Sequence, residues 1–235
     1  MSICAGSRLR GKHGLILAGL GQAARNKDTV SLTAEADTPT VRRQSRLPMQ
    51  TETLANQPQA QTYKGAIKAA LTEIGKDPLA RFVGYGMIAG RAGGFLKDVP
   101  ESSLSEFTVA EDLMVGAAMG MSLMGLRPVV TIERADFLWN CMSALASHLD
   151  KCEEISRREF VPSVIIRVVV GGKLRPLFTG ATHVSDPSEA MKLILKMPVL
   201  VARDAYEVQE FWAEGYRRMR EGLGNTMIFE YKDAY

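Results

Sequence analysis

Few residues in this 235-residue chain have both the type and the spacing to do chemistry. The three histidines, His13, His148 and His183, stand far from one another and from Cys4, Cys141 and Cys152, so no pair has metal-ligand spacing. Three widely separated cysteines also exclude a disulfide framework and any C-x-x-C site, and they fit a reducing compartment. A nucleotide fold is tempting at 84-GYGMIAGRAGG-94, yet the third glycine of a dinucleotide fingerprint is misplaced and no helix opens on the loop. No G-K-[ST] and no G-x-S-x-G occurs, which removes the P-loop and the nucleophile-elbow hydrolase. There remain Glu111 with Asp112 at the start of an apolar helix, Phe137 beyond a strand end, His183 in a loop, and the loop cations Lys173 and Arg175. Taken singly these read as a capped helix, a core ring, an inert loop histidine and solvated charges.

The elements that must position them follow from periodicity. Helical stretches are expected over 62–75, 111–125, 136–155, 188–196 and 204–222. Strands are expected over 81–88, 127–132, 163–170, 197–203 and 226–232. In 62–75 the stripe Ile67, Ala70, Leu71, Ile74 recurs at helical spacing, and Pro187 sits at a first helical position. Each strand is a nearly continuous apolar run, 163-SVIIRVVV-170 being the longest, as in a parallel sheet covered on both faces. The expected fold is therefore α/β, a single doubly wound domain with a mainly parallel sheet and helices on both faces. Such sheets bind ligands beyond the carboxyl ends of their strands, which directs attention to the loops at 86–95, 132–137 and 171–186.

Composition narrows the classes further. The chain is 46% hydrophobic and 23% charged, as in ordinary globular proteins, and no window reaches the roughly 20 uninterrupted apolar residues of a membrane span. The net charge of +3 is confined to one end: residues 1–61 hold eight Lys/Arg against four acids, leaving 21 against 22 in the remainder. A neutral remainder without a basic, aromatic-studded face argues against nucleic-acid binding. Residues 1–61 are also aperiodic and rich in Gln, Thr, Ala and Arg, and are expected to be a disordered or misassigned extension, with the domain spanning 62–235. A transit peptide is one reading of the acid-free first 27 residues. A start codon assigned too early, with Met49 as the true start, is the other. It is preferred because Asp28, Glu35 and Asp37 interrupt the acid-free pattern so soon. A cytoplasmic location follows from the second reading and an organelle matrix from the first.

The run FTVAE followed by VGAAMGMSLMGLRPVV, over 107–130, resembles the transketolase-like pyrimidine-binding domain of thiamine diphosphate enzymes. It is most similar there to the beta subunit of the pyruvate and branched-chain 2-oxo acid dehydrogenases. The likeness continues through 162-PSVIIR-167, 182-TH-183, 197-MPVLVAR-203 and 228-IFEYKDAY-235, and so covers nearly all of 63–235. It implies that Glu111 is the carboxylate that bonds the cofactor's aminopyrimidine and promotes its imino form. That task requires a mostly apolar site, which Leu113, Met114 and Val115 could supply. It further implies that Phe137 stacks on the pyrimidine and that His183 faces the substrate end of the thiazolium. The helix carrying Gly116, Ala117, Gly120 and Gly125 would pack against partner subunits or closely within the domain.

Departures from the family pattern qualify these expectations. The acidic pair expected ahead of Gly93 and Gly94 is replaced by Met87 and Ile88, which puts a proton network or substrate contact in doubt. Arg134 replaces an apolar position before Phe137, and together with Lys173 and Arg175 it is a candidate host for a substrate carboxylate or phosphate. No metal ligand is expected on this chain. Since it carries no G-D-G and ends where the pyrimidine domain ends, Mg²⁺ and the diphosphate are expected to be held by a separate alpha-like chain, in a heteromer that also admits a second copy of this one. The implied function is a beta-like catalytic subunit acting on a 2-oxo acid or ketose-like donor by decarboxylation, acyl transfer or ketol transfer, inactive without its partner. The alternatives are a non-catalytic scaffold or regulatory subunit retaining the fold, and a flavodoxin-like small-molecule binder.

Overall fold

A computed structural model describes residues 62–174 and 180–235. The expectations for residues 1–61, including Cys4 and His13, and for Arg175 lie outside the described residues. Among the described residues six strands form one sheet in the order β2-β1-β3-β4-β6-β5, and every neighbouring pair is parallel. They are β1 (Ala80–Gly84), β2 (Leu104–Glu106), β3 (Arg127–Glu133), β4 (Ile165–Val170), β5 (Val199–Val201) and β6 (Thr226–Tyr231). The fold is thus the α/β doubly wound arrangement that the apolar strands imply.

Alternate residues of the strands feed two cores, as the period of two requires. Val130, Ile132, Ile166 and Val168 face one side, beneath α2 (Glu111–Leu123), the segment after β3 and α4 (Ser188–Ile194). Val129, Ile165 and Ile228 face the other, beneath α1 (Tyr63–Ile74) and α5 (Ala205–Glu221). Thr62 caps α1 by accepting from the Gly65 amide, and Asp204 caps α5 by accepting from Glu207. α5 ends at Gly222, whose left-handed φ of 66° closes the helix as glycine does most readily.

Two elements differ from the sequence reading. The strand β2 is three residues of a polar stretch with one buried side chain, and a short polar edge has no apolar run to betray it. The amphipathic helix expected over 136–155 is instead a chain of short turns: a 3₁₀ stretch Ala135–Cys141, a π-helical stretch Ser143–His148, a 3₁₀ turn Leu149–Lys151, and α3 (Cys152–Ile155). Leu138, Cys141, Leu145, Leu149 and Cys152 all remain buried, three or four residues apart. The apolar stripe therefore survives while the hydrogen-bond ladder does not, and periodicity reports only the stripe.

Asp77, just after α1, ties three elements together. Its carboxylate accepts from the Leu79 amide and Tyr216 Oη at 2.9 and 2.8 Å, and it pairs with Arg127 at the start of β3. Burial raises its pKa, but the Leu79 amide, Arg127 and Tyr216 outweigh burial and hold it below the ordinary value. The stability it contributes is then complete above the unfolded carboxylate pKa of about 3.9 and disappears as pH falls through the lower folded value. Asp77→Asn should cost about 1–3 kcal/mol at neutral pH. Thermal melts between pH 7 and 2 should show a shallower acid decline for the variant. Parallel declines would assign the acid sensitivity elsewhere.

Candidate active site

The carboxyl ends of β1 and β3, the loop entering α2 and the turn after β4 enclose a cleft of about 220 Å³. Glu111 lies within it as the first residue of α2 and is 5% exposed. Ala110, the cap residue, has no side chain to satisfy the first amides, so the acids of the first turn meet the positive helix end. Asn140 Nδ2 donates to Glu111 Oε2 at 3.3 Å, and no described residue donates to Oε1. Of the three apolar neighbours, Met114 lines the cleft and Val115 is buried beneath, while Leu113 turns outward at 53% exposure. Behind Glu111 the Cys141 thiol is pushed up to about 12, by burial first and then by the charges of Glu111 and Asp112. Cys141 is thereby kept a protonated core group and not a nucleophile.

His183 reaches the same cleft from the 3₁₀ turn Gly180–His183. Its Nδ1 lies 2.8 Å from Thr182 Oγ1, and its ring stands edge-on to Phe137, with centroids 5.1 Å apart and an interplanar angle of 90°. Asp136 holds the chain just beyond, both carboxylate oxygens accepting from the Ser185 amide at 3.3 Å. Gly171, at the end of β4, makes this approach feasible: a β-carbon there would meet the His183 carbonyl oxygen at 1.5 Å. Only glycine leaves that space.

The other sequence-derived candidates divide. Arg134 joins Glu111 and His183 in the cleft, along with Thr131, Glu133, Tyr85 and Val109. Phe137 packs half-buried against the core and does not itself line the cleft, touching the His183 ring there edge-on. Lys173 is exposed, and its backbone amide is anchored 2.8 Å from the Asp233 carboxylate, outside the cleft. Met87, where an acid was expected, is buried with its methyl against Gly84, while Ile88 is 41% exposed. The turn they belong to is held by a carboxylate from another strand, Glu106, which accepts from the Gly86 and Ile88 amides at 2.6 and 2.7 Å. Glu106 and Asn140 escape sequence reasoning. Their one signal is position, Glu106 ending the polar run before FTVAE and Asn140 following Phe137 by three residues.

A larger groove, of about 600 Å³, opens at the amino end of the sheet beside Asp150, Arg157 and Asn225. Several of its charges are paired internally, Lys196 with Glu154 and Arg158 with Glu153. It lies on the side where doubly wound sheets do not carry their chemistry. Among the described residues no three His, Cys, Asp or Glu side chains gather as a metal site, and no helix is long and apolar enough to cross a membrane.

No family model matches the chain. It is similar to the beta subunit of 2-oxoisovalerate dehydrogenase from Pseudomonas aeruginosa, with 27% identity over 128 residues, 54% of this chain and 36% of that protein. It is also similar to the beta subunit of the pyruvate dehydrogenase E1 component from Acholeplasma laidlawii, with 30% identity over 84 residues, 36% of this chain and 26% of that protein. The chain thus spans about a third or less of the length of these curated relatives. Among solved structures, an inactive beta4 tetramer of a split-gene transketolase shares the fold at a TM-score of 0.51 and 21% identity, over 72% of this chain and 51% of that one. A putative thiamin diphosphate-dependent enzyme from Mycobacterium smegmatis does so at 0.53 and 17%, over 74% and 31%. The sequence likeness is therefore to 2-oxo acid dehydrogenase beta subunits, and the fold is the one found in transketolase-like enzymes.

Proposed function

We propose that this chain is the pyrimidine-domain, beta-like subunit of a heteromeric thiamine diphosphate-dependent enzyme acting on a 2-oxo acid or ketose-like donor. The observation that carries the reading is Glu111: a nearly buried carboxylate, steadied on one oxygen by Asn140 and open on the other, on the floor of a small, partly apolar cleft. These residues fit one end of the cofactor. The open oxygen is an acceptor for a ring N–H, while Met114 and Val109 offer apolar walls for a flat heterocycle. Thiamine diphosphate, when bound, supplies a nucleophilic thiazolium carbon and, in its cationic ring, a sink for the electrons of a cleaved carbon–carbon bond.

What the chain's own residues contribute can be stated separately. With the cofactor in place Glu111 would share a proton between its Oε1 and a ring nitrogen, and Asn140, bonded to Oε2, would keep the carboxylate turned that way. His183, braced by Phe137 and Thr182, donates or accepts a proton at the substrate end of the cleft. At about 220 Å³ the cleft is smaller than the roughly 300–1,000 Å³ of pockets that enclose a whole drug-sized ligand, which favours a site completed by another surface. We assign the diphosphate and its Mg²⁺ to a separate alpha-like chain, the relatives being named as beta subunits. A second copy of this chain would complete a heterotetramer. The buried Cys141 and Cys152 thiols suit the reducing cytoplasm, to which we assign the complex.

A second reading, a non-catalytic subunit that keeps the fold, draws on Met87, a buried thioether where the family pattern has an acid. Isolation of the native protein separates the two. A diphosphate-binding chain should accompany it, and the pair with thiamine diphosphate and Mg²⁺ should turn over a 2-oxo acid or ketose that neither chain turns over alone. A partner as fast alone as in the pair would establish the second reading.

A further inference from the structure

Among the described residues Arg134 is the only lysine or arginine lining the cleft, and it is incompletely bonded. Its side chain is 13% exposed, yet its Nε is buried without a hydrogen-bond partner. Its contact with Glu133 is a single Nη1 to Oε2 approach at 3.3 Å, on a carboxylate that is 37% exposed. A guanidinium is a planar fork whose adjacent donors match two oxygens of one anion, so a single long contact leaves most of that capacity unused.

The surroundings contain a matching vacancy for Glu133. Arg167, buried on β4, gives Nε and Nη2 to Glu230 at 2.9 and 2.8 Å, but its Nη1 is buried without a hydrogen bond and lies 3.8 Å from Glu133 Oε1. Glu133 thus stands between two guanidiniums and satisfies neither. An anion on Arg134 would release Glu133 to close the gap to Arg167, relieving two unpartnered buried donors at once. Placement also favours an anion here. The Arg134 side chain passes Gly171, its Cδ 3.4 Å from where a β-carbon would stand, at the point where the His183 carbonyl rests. The guanidinium and His183 are therefore held against the same short piece of wall.

We infer that Arg134 recognises the acid group of the substrate, a carboxylate or phosphate, and that Glu133 is an exchangeable counterion that passes from Arg134 to Arg167 as the anion arrives. This rests on the cleft being the substrate site of the proposed function and names the residue that selects a charged donor. Anion binding itself needs neither cofactor nor partner, so it can be tested apart from activity.

The test is a titration of the full-length chain, labelled with ¹⁵N-arginine, by pyruvate, by its neutral amide pyruvamide and by inorganic phosphate. The Arg134 Nε–H resonance, identified by its loss in Arg134→Lys, should shift saturably with pyruvate or with phosphate and not with pyruvamide. A response to pyruvate alone assigns the site to a carboxylate, and one to phosphate alone assigns it to a phosphate; either supports the inference. Arg134→Met should weaken binding of the responding anion by about 10- to 100-fold. Glu133→Gln should tighten it several-fold, because the internal competitor loses its charge, a change that a purely structural role for Arg134 would not produce. No shift with either anion, an equal shift with pyruvamide, or unchanged affinity in Arg134→Met would overturn it. If the anion binds while the reconstituted pair shows no thiamine-dependent turnover, the functional reading falls and this one stands.

Discussion

Glu111→Gln should lower turnover of the assembled enzyme by about 10²–10⁴-fold, the range spanned by one positioned acid–base group, while the chain folds and assembles as before. Glutamine keeps the shape of the side chain and an oxygen for the Asn140 amide, which approaches Glu111 at 3.3 Å. It cannot hold a negative charge or exchange a proton, so the substitution separates chemistry from packing. If the carboxylate served only to meet the positive end of α2, its loss would cost about 0.3–1 kcal/mol of stability and leave the rate unchanged. Steady-state rates and thermal melts on the same preparation distinguish the two, since one outcome moves the rate and the other the melting temperature.

The largest effect on stability is expected at Glu230. This fully buried carboxylate on β6 accepts from Arg167 Nε and Nη2, from Trp212 Nε1 at 2.9 Å and from Tyr235 Oη at 3.2 Å. Burial opposes the charge on Arg167, but Glu230 first, then Tyr235 and Glu133, hold its pKa above the usual value, so the guanidinium stays charged. The Arg167 guanidinium also lies over the Phe95 ring, 4.7 Å from its centroid, and its next anion, Glu133, is 37% exposed and 3.8 Å from Nη1. Glu230→Gln leaves that charge without its main counterion and should cost about 3–5 kcal/mol, lowering the melting temperature by roughly 6–20 °C in a domain of this size. Arg167→Met combined with Glu230→Leu should recover much of the loss, because the cost arises from an uncompensated charge and not from volume. A double variant as unstable as the single one would instead place the effect in packing.

The sheet was legible because its central strands are continuous apolar runs. Val129 to Ile132 and Val164 to Val170 read as buried on both faces, and they are, Arg167 included, whose burial depends on a partner 63 residues away. The irregular course of 135–155 was not legible, since buried positions three and four apart are equally compatible with α, 3₁₀ and π geometry. In the cleft, Glu111, Arg134 and His183 could be singled out by type and pattern, and the structure brings them together. Asn140 and Glu106 could not. Their roles depend on bonds across 29 and 20 residues, to Glu111 and to the Gly86 amide, which no local pattern encodes. The same limit applies to Gly171, whose need to be glycine is set by a carbonyl twelve residues on.

We propose that Glu111 activates a bound cofactor. The most direct measurement is the exchange of the hydrogen at the thiazolium carbon of thiamine diphosphate for deuterium, in the complex of this chain with its diphosphate-binding partner and without substrate. The wild-type complex should exchange that hydrogen far faster than the free cofactor does, and Glu111→Gln should return the rate to near the free value with the cofactor still bound. A Glu111→Gln complex that exchanges as fast as wild type would contradict the claim.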